Sequence, residues 1–182
     1  MRNFLAAAFT LALIAPAFAE APKDRELESL FGKLAKAQSS EEAKPIEEDI
    51  LSHFLRSDSA TVDLLMSRAS ALADAKDEGS ALRILDAVTH IAPSYAEGWH
   101  QKGKLEADAG KDEAALASLQ KAVSLNPREF EAHVDLGDLM AQYGAKPAAL
   151  AELKKALALD PHFDGLDRRV QELAREVEGE KI

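Results

Sequence analysis

Three prolines at one spacing constrain this chain more than any other feature: Pro93, Pro127 and Pro161 stand 34 residues apart. The same step relates Leu82, Leu116 and Leu150; Ala81, Ala115 and Ala149; Leu85, Leu119 and Leu153; and Ile91, Leu125 and Leu159. Gly103 falls in register with Gly137, Gly110 with Gly144, and Ala122 with Ala156. A fixed period of this length means one supersecondary unit used repeatedly. Each copy is too small to hide its own apolar face, so it stacks on the next.

Each period reads as two helices. In the most regular one, Ser94 is placed to cap a helix whose first turn carries Glu97. That helix runs to about residue 109 and stops at Gly110, a residue suited to a left-handed C-terminal position. A second helix follows from about residue 113 to 125, with Leu116, Leu119 and Val123 on one face. Asn126-Pro127 ends it, because a residue before proline avoids helical geometry. Two helices crossing closely need small residues at the crossing, and Gly103 and Ala115 supply them. Trp99 is expected to fill the space beside it, with Leu65 and His133 in the equivalent places of the neighbouring periods. Removing a large buried aromatic costs roughly 3–5 kcal/mol, so Trp99→Ala is expected to be severe.

This pattern resembles the tetratricopeptide repeat family. The resemblance rests on Trp99, Gly103, Gly110, Ala115, Leu119, Ala122 and Pro127 in one period. In the next it rests on Leu136, Gly137, Gly144, Ala149, Leu153, Ala156 and Pro161. Residues 62–95 match more loosely, with Ala69 and Lys76 at the glycine positions and Val88 at the later alanine. The expected fold is all-α: a right-handed solenoid without strands, holding three repeats (62–95, 96–129, 130–163) across residues 62–161.

The flanks extend the helical pattern. Leu27, Leu30, Phe31 and Leu34 form a stripe over 24–38, and Ile46, Ile50, Leu51 and Phe54 form another up to about residue 56. Residues 20–61 are thus a degenerate helical hairpin, expected to cap the N-terminal end of the stack. In 164–182, Leu166, Val170, Leu173 and Val177 describe one amphipathic helix that covers the last repeat, with a frayed tail from residue 179. Nine helices follow in all.

Residues 1–19 read as a leader. Arg2 precedes an uncharged apolar run, and Pro16 is followed by Ala17-Phe18-Ala19, the small-x-small pattern cut by signal peptidase after Ala19. The run is too short to span a bilayer, which needs roughly 20 residues; an uncleaved N-terminal anchor is the alternative. No later segment is apolar enough to cross a membrane. The chain has no cysteine, which removes lipoprotein, disulfide and thiolate-metal readings. Leader and composition together suit an exported bacterial, periplasmic protein, with a eukaryotic secretory route as the alternative. The formal net charge is −10, and losing Arg2 with the leader makes it more negative. Nucleic acid and anionic lipid both call for a basic surface, so neither is the expected partner.

Catalytic signatures are missing. The five histidines are His53, His90, His100, His133 and His162, and none sits in a zinc-protease pair. There is no Gly-rich phosphate loop and no Gly-x-Ser-x-Gly elbow. His100 and His133 could approach one another on adjacent first helices, but a zinc site wants three or four placed ligands. His133 is therefore expected to pack and His100 to lie at the surface, with no metal, no cofactor and no catalytic residue.

The resemblance further implies that the first helices line a concave groove for a protein or peptide. The lining would be Asp63, Met66, Ser67, Ser70 and Asp74, then Glu97, His100, Gln101, Lys104 and Asp108. The last repeat would add Glu131, Val134, Asp135, Asp138 and Gln142. Lys104 is the lone cation in this set, which does not suit the type rich in lysine, arginine and asparagine that clamps a chaperone's C-terminal carboxylate. A partner presenting basic or mixed charge fits better; a merely solvated acidic face is the plain alternative. The expected function is a non-catalytic scaffold or adaptor, in cell-envelope maintenance or secretion. The alternative is a structural subunit of an envelope complex joined through its convex face or termini, at Val177 or Phe54. A hydrolase ranks last.

Overall fold

The computed structural model describes residues 22–179. The leader and its cleavage point, and the last three residues, lie outside the described residues. Among those described there are nine helices and no strand: α1 (Pro22–Leu34), α2 (Ser40–Phe54), α3 (Ala60–Asp74), α4 (Glu78–Ile91), α5 (Ala96–Asp108), α6 (Asp112–Leu125), α7 (Phe130–Gln142), α8 (Lys146–Leu159) and α9 (Leu166–Gly179). None is long and apolar enough to cross a membrane.

Three hairpins, α3–α4, α5–α6 and α7–α8, form the solenoid, each packing its second helix against the first helix of the next, α4 on α5 and α6 on α7. Their turns share one device. Lys76, Gly110 and Gly144, spaced at the repeat period, take φ of 61°, 69° and 76°. The following N–H reaches back to the carbonyl five residues earlier: Asp77 to Leu72 at 2.9 Å, Lys111 to Glu106 at 2.8 Å, Ala145 to Met140 at 2.9 Å. This is the Schellman closure, which satisfies orphan carbonyls at a helix end. Lys76 adopts it without the freedom of glycine, so the loose sequence match in the first repeat does not loosen its turn.

At the crossings, a Cβ on Gly103 would lie 2.7 Å from Leu119 Cγ, and one on Gly137 would lie 2.7 Å from Leu153 Cδ2. Ala115 and Ala149, on the opposing helices, are fully buried. Small residues are thus required at both crossings.

Ser94 does not cap α5. The N-cap is Tyr95, which makes no side-chain capping bond, and Glu97 turns inward and is buried. Trp99 departs from expectation as well. It is only partly buried and belongs to none of the three apolar cores among the described residues. Its indole N–H donates to the Pro93 carbonyl at 3.0 Å, and Lys102 lies over its ring at 5.5 Å. His133, one period on, makes the equivalent contact from Nε2 to the Pro127 carbonyl at 3.0 Å. The shared role is a tether between the start of a first helix and the proline closing the preceding repeat. A tryptophan and a histidine serve it equally, because each offers a ring N–H.

The N-terminal hairpin forms but does not close the first repeat. Leu30, Phe31, Leu34, Ile50 and Phe54 share one core with Phe130, Val134, Leu150, Leu153, Leu166, Val170 and Val177. The first repeat keeps a separate core around Val62, Met66, Leu82 and Leu85. Polar contacts fix the hairpin across the loops between repeats. Arg128 pairs with Glu28 and covers the Phe31 ring, Tyr95 Oη donates to the Leu55 carbonyl at 2.8 Å, and His162 Nε2 meets the Ala37 carbonyl at 2.8 Å. With no hairpin stacked on α3, Leu64 remains 70% exposed. At the other end α9 covers the third repeat as expected, and Arg169 pairs with Asp138. Phe54 and Val177, considered above as joining edges, are instead buried in this core.

The hairpin contact carries a pH dependence. Burial, and then the neighbouring Asp160, push Glu47 up to about 7, against the opposing pull of His162 and Lys44. A protonated Glu47 supplies the donor that the buried Asp160 Oδ2 otherwise lacks. The folded-state pKa lies above the unfolded one. The stabilisation is therefore complete below about pH 4.5 and is lost as pH rises through about 7. Glu47→Gln is expected to raise the melting temperature at pH 8 and leave it nearly unchanged at pH 5. A difference independent of pH in paired thermal melts would refute the shared-proton contact.

Candidate functional site

Eight of the fifteen groove residues come together. Asp63, Met66, Ser67, Ser70 and Asp74 of α3 face Gln101, Lys104 and Asp108 of α5 across a cleft of about 710 Å³. Parallel placement of first helices explains this: residues on one face of α3 meet their equivalents one period later. The floor is apolar, with Met66, Ala69, Leu85 and Leu105 buried. The rim carries Asp63, Asp74 and Asp108 against Lys104. Asp63 also accepts hydrogen bonds from the Ser57 hydroxyl and amide at 2.6 and 2.9 Å, which ties the α2–α3 loop to the cleft edge.

The other seven residues do not line this cleft. Val134 is buried in the core shared with α1, α2 and α9. Asp138 pairs with Arg169. Glu131 is half-buried, and burial raises its carboxyl pKa despite the nearby His100 and Lys104. Gln142 is exposed at the end of α7. The concave side is thus open between α3 and α5, while at the third repeat Val134 is closed in by the chain itself.

The remaining three, Glu97, His100 and Asp135, belong to a buried polar cluster with Glu129. His100 is wholly buried rather than at the surface, as are Glu97 at 5% and Glu129 at 1% exposure. His100 Nδ1 lies 3.3 Å from Glu97 Oε2 and 3.0 Å from Glu129 Oε1, and Nε2 lies 2.8 Å from Asp135 Oδ2. Gln101 Nε2 donates to the other Glu97 oxygen at 2.7 Å. Burial opposes charge on His100, but its contacts with Asp135, Glu129 and Glu97 outweigh this and hold its pKa well above the usual value. Burial likewise opposes charge on Glu97, yet His100 and Gln101 keep it below the ordinary carboxylate range. Burial pushes Glu129 up to about 7, with Glu97 adding to the rise and His100 opposing it.

The sequence reading missed this cluster. The available signal was Glu97 and His100 three apart on one helix, with Glu129 and Asp135 near one period further on. His100 and His133 do not form a pair. His133 Nδ1 meets Glu152 Oε2 at 2.7 Å, on the side of α7 that faces α8.

Comparison with known proteins agrees with this architecture. A family profile described as TPR repeat matches residues 103–144. A TPR repeat-containing protein of Rhizobium etli is 34% identical over 84 residues, which cover 46% of this chain and 41% of that relative. The Sgt2 TPR domain from Aspergillus fumigatus superposes with a TM-score of 0.62 at 18% identity, over 68% of this chain and 83% of that one. The Yersinia enterocolitica type III secretion chaperone SycD, in complex with a peptide of the translocator YopD, gives 0.61 at 19% identity, over 68% and 97%. Repeat register, hairpin geometry and these likenesses together show a tetratricopeptide-repeat fold, with a TPR repeat matched at residues 103–144.

Proposed function

We propose that the chain is a non-catalytic scaffold that holds a protein segment of basic or mixed charge in the cleft between α3 and α5. The cleft carries this reading. It offers an apolar floor of Met66, Leu85 and Leu105 for side chains and an acidic rim for cations. Apolar anchoring supplies affinity and the rim supplies selection by charge. The fold likeness to SycD, seen with a translocator peptide, supports a peptide as occupant. The leader pattern of residues 1–19 supports action after export, in the periplasm or outside the cell; N-terminal sequencing of the mature protein checks cleavage after Ala19.

Fluorescence anisotropy with two sets of labelled peptides, alike in length and hydrophobic content but opposite in charge, tests the cleft. The basic set is expected to bind more tightly, with the preference shrinking as salt screens the rim. The variant Asp63→Asn/Asp74→Asn/Asp108→Asn is expected to lose most of that preference. Equal binding of both sets by wild type would remove the charge-selective groove.

A further inference from the structure

We propose that Glu97, His100 and Glu129 form a binding site for a divalent ion of the zinc class, oriented by Asp135. The arrangement departs from a simple ion-pair network in one respect. Both oxygens of Glu129 are buried without a hydrogen-bond partner, although Oε1 lies 3.0 Å from His100 Nδ1. That nitrogen also faces Glu97 Oε2 at 3.3 Å, and one ring hydrogen cannot serve two carboxylates. A cation that displaces the Nδ1 proton and sits between the three groups satisfies them together.

The dimensions agree. Bonds of about 2.0–2.1 Å to nitrogen and carboxylate oxygen in a tetrahedral site place neighbouring ligand atoms roughly 3.3 Å apart. The two His100 separations, 3.3 and 3.0 Å, lie at and slightly under that value, and all three ligand atoms fall within 4.8 Å of one another. The surrounding shell is also of the expected kind. His100 Nε2–H donates to Asp135 at 2.8 Å, which leaves Nδ1 as the coordinating atom, and Gln101 holds the far oxygen of Glu97 at 2.7 Å. One nitrogen with two carboxylates selects zinc-like ions over magnesium or calcium, which favour all-oxygen sites.

Access is available. Glu97 and Glu129 line a separate cleft of about 250 Å³ beneath the N-terminal hairpin, with Tyr95, Leu27 and His53 on its other walls. His53 is itself buried with Nδ1 unpartnered. An ion here would join α5 to the loop before α7, and hence two successive repeats. The site shares Gln101 with the peptide cleft, but its three ligands lie outside that cleft, so the two readings are tested separately.

The test is calorimetric titration of the tag-free, chelator-stripped full chain with Zn²⁺, together with visible absorption on adding Co²⁺. One equivalent of ion is expected to bind, with a tetrahedral cobalt spectrum and a raised melting temperature. Glu129→Gln is expected to keep the wild-type helical circular dichroism and weaken binding at least tenfold. Asp135→Asn should weaken it roughly 10–100-fold, the range for a lost outer partner, and His90→Gln should have no effect. Glu97→Gln carries the same expectation as Glu129→Gln should that variant fail to fold. The proposal is overturned if no stoichiometric uptake occurs, or if well-folded carboxylate variants bind as tightly as wild type.

Discussion

Phe130→Ala is expected to lower stability by about 3–5 kcal/mol, the usual cost of emptying a fully buried aromatic site, and to do more harm than removing the tryptophan. Phe130 opens α7, is 1% exposed, and meets Phe163 edge-on at 6.0 Å between ring centroids. It belongs to the core in which the N-terminal hairpin, the third repeat and α9 meet. Its loss therefore loosens three elements at once, and the well-packed surroundings cannot collapse into the space. Trp99→Ala removes a partly exposed ring and one hydrogen bond to Pro93, a loss of about 1–2 kcal/mol. Urea unfolding of the two variants checks the order. Phe130→Ala should also speed proteolysis in the loop between α2 and α3. A larger loss at Trp99 than at Phe130 would contradict the packing described here.

That reversal shows where sequence reasoning reached and where it stopped. Whatever repeats is readable. The 34-residue step located three hairpins, their turns at Lys76, Gly110 and Gly144 and the small residues at their crossings, since each is a local requirement imposed on every copy. What happens once is not readable in that way. The N-terminal hairpin shows a helical stripe, but Leu30, Phe31 and Phe54 do not announce which end of the stack they cover; that depends on Phe130, about a hundred residues away. Trp99 shows the same limit. A large aromatic suggests a filler, whereas its indole N–H serves as a tether, visible only beside its counterpart His133. Groove residues on α3 and α5 came together because helical phase places them so. Glu97, His100 and Asp135 did not join them, because Glu129, from the loop before α7, draws His100 inward.

Gly103→Leu is expected to be the most damaging enlargement in the central repeat, costing about 3 kcal/mol, the upper part of the range for overpacking. Even the first added carbon would lie 2.7 Å from Leu119 Cγ and 3.1 Å from the Leu119 backbone nitrogen. The side chain has little room to shift, and the backbone of α6 cannot retreat without parting the helix pair. Leu119 is 1% exposed, so no open space receives it. The two contacts can be separated by a double-mutant cycle with the smaller change Gly103→Ala. In a Leu119→Ala background the side-chain collision disappears while the backbone approach remains, so the cost of Gly103→Ala should fall but not vanish. Non-additivity of about 1 kcal/mol is the expected signature of two residues in direct contact. The same cost in both backgrounds would mean that backbone separation alone sets the crossing, and a negligible cost in either would mean that α5 and α6 do not approach at Gly103. Gly137 and Leu153 provide the internal replicate. A Cβ there meets Leu153 at 2.7 and 2.8 Å and the Ala149 carbonyl at 3.2 Å, so the cycle should give the same sign one repeat later if the crossing is a property of the hairpin and not of its neighbours.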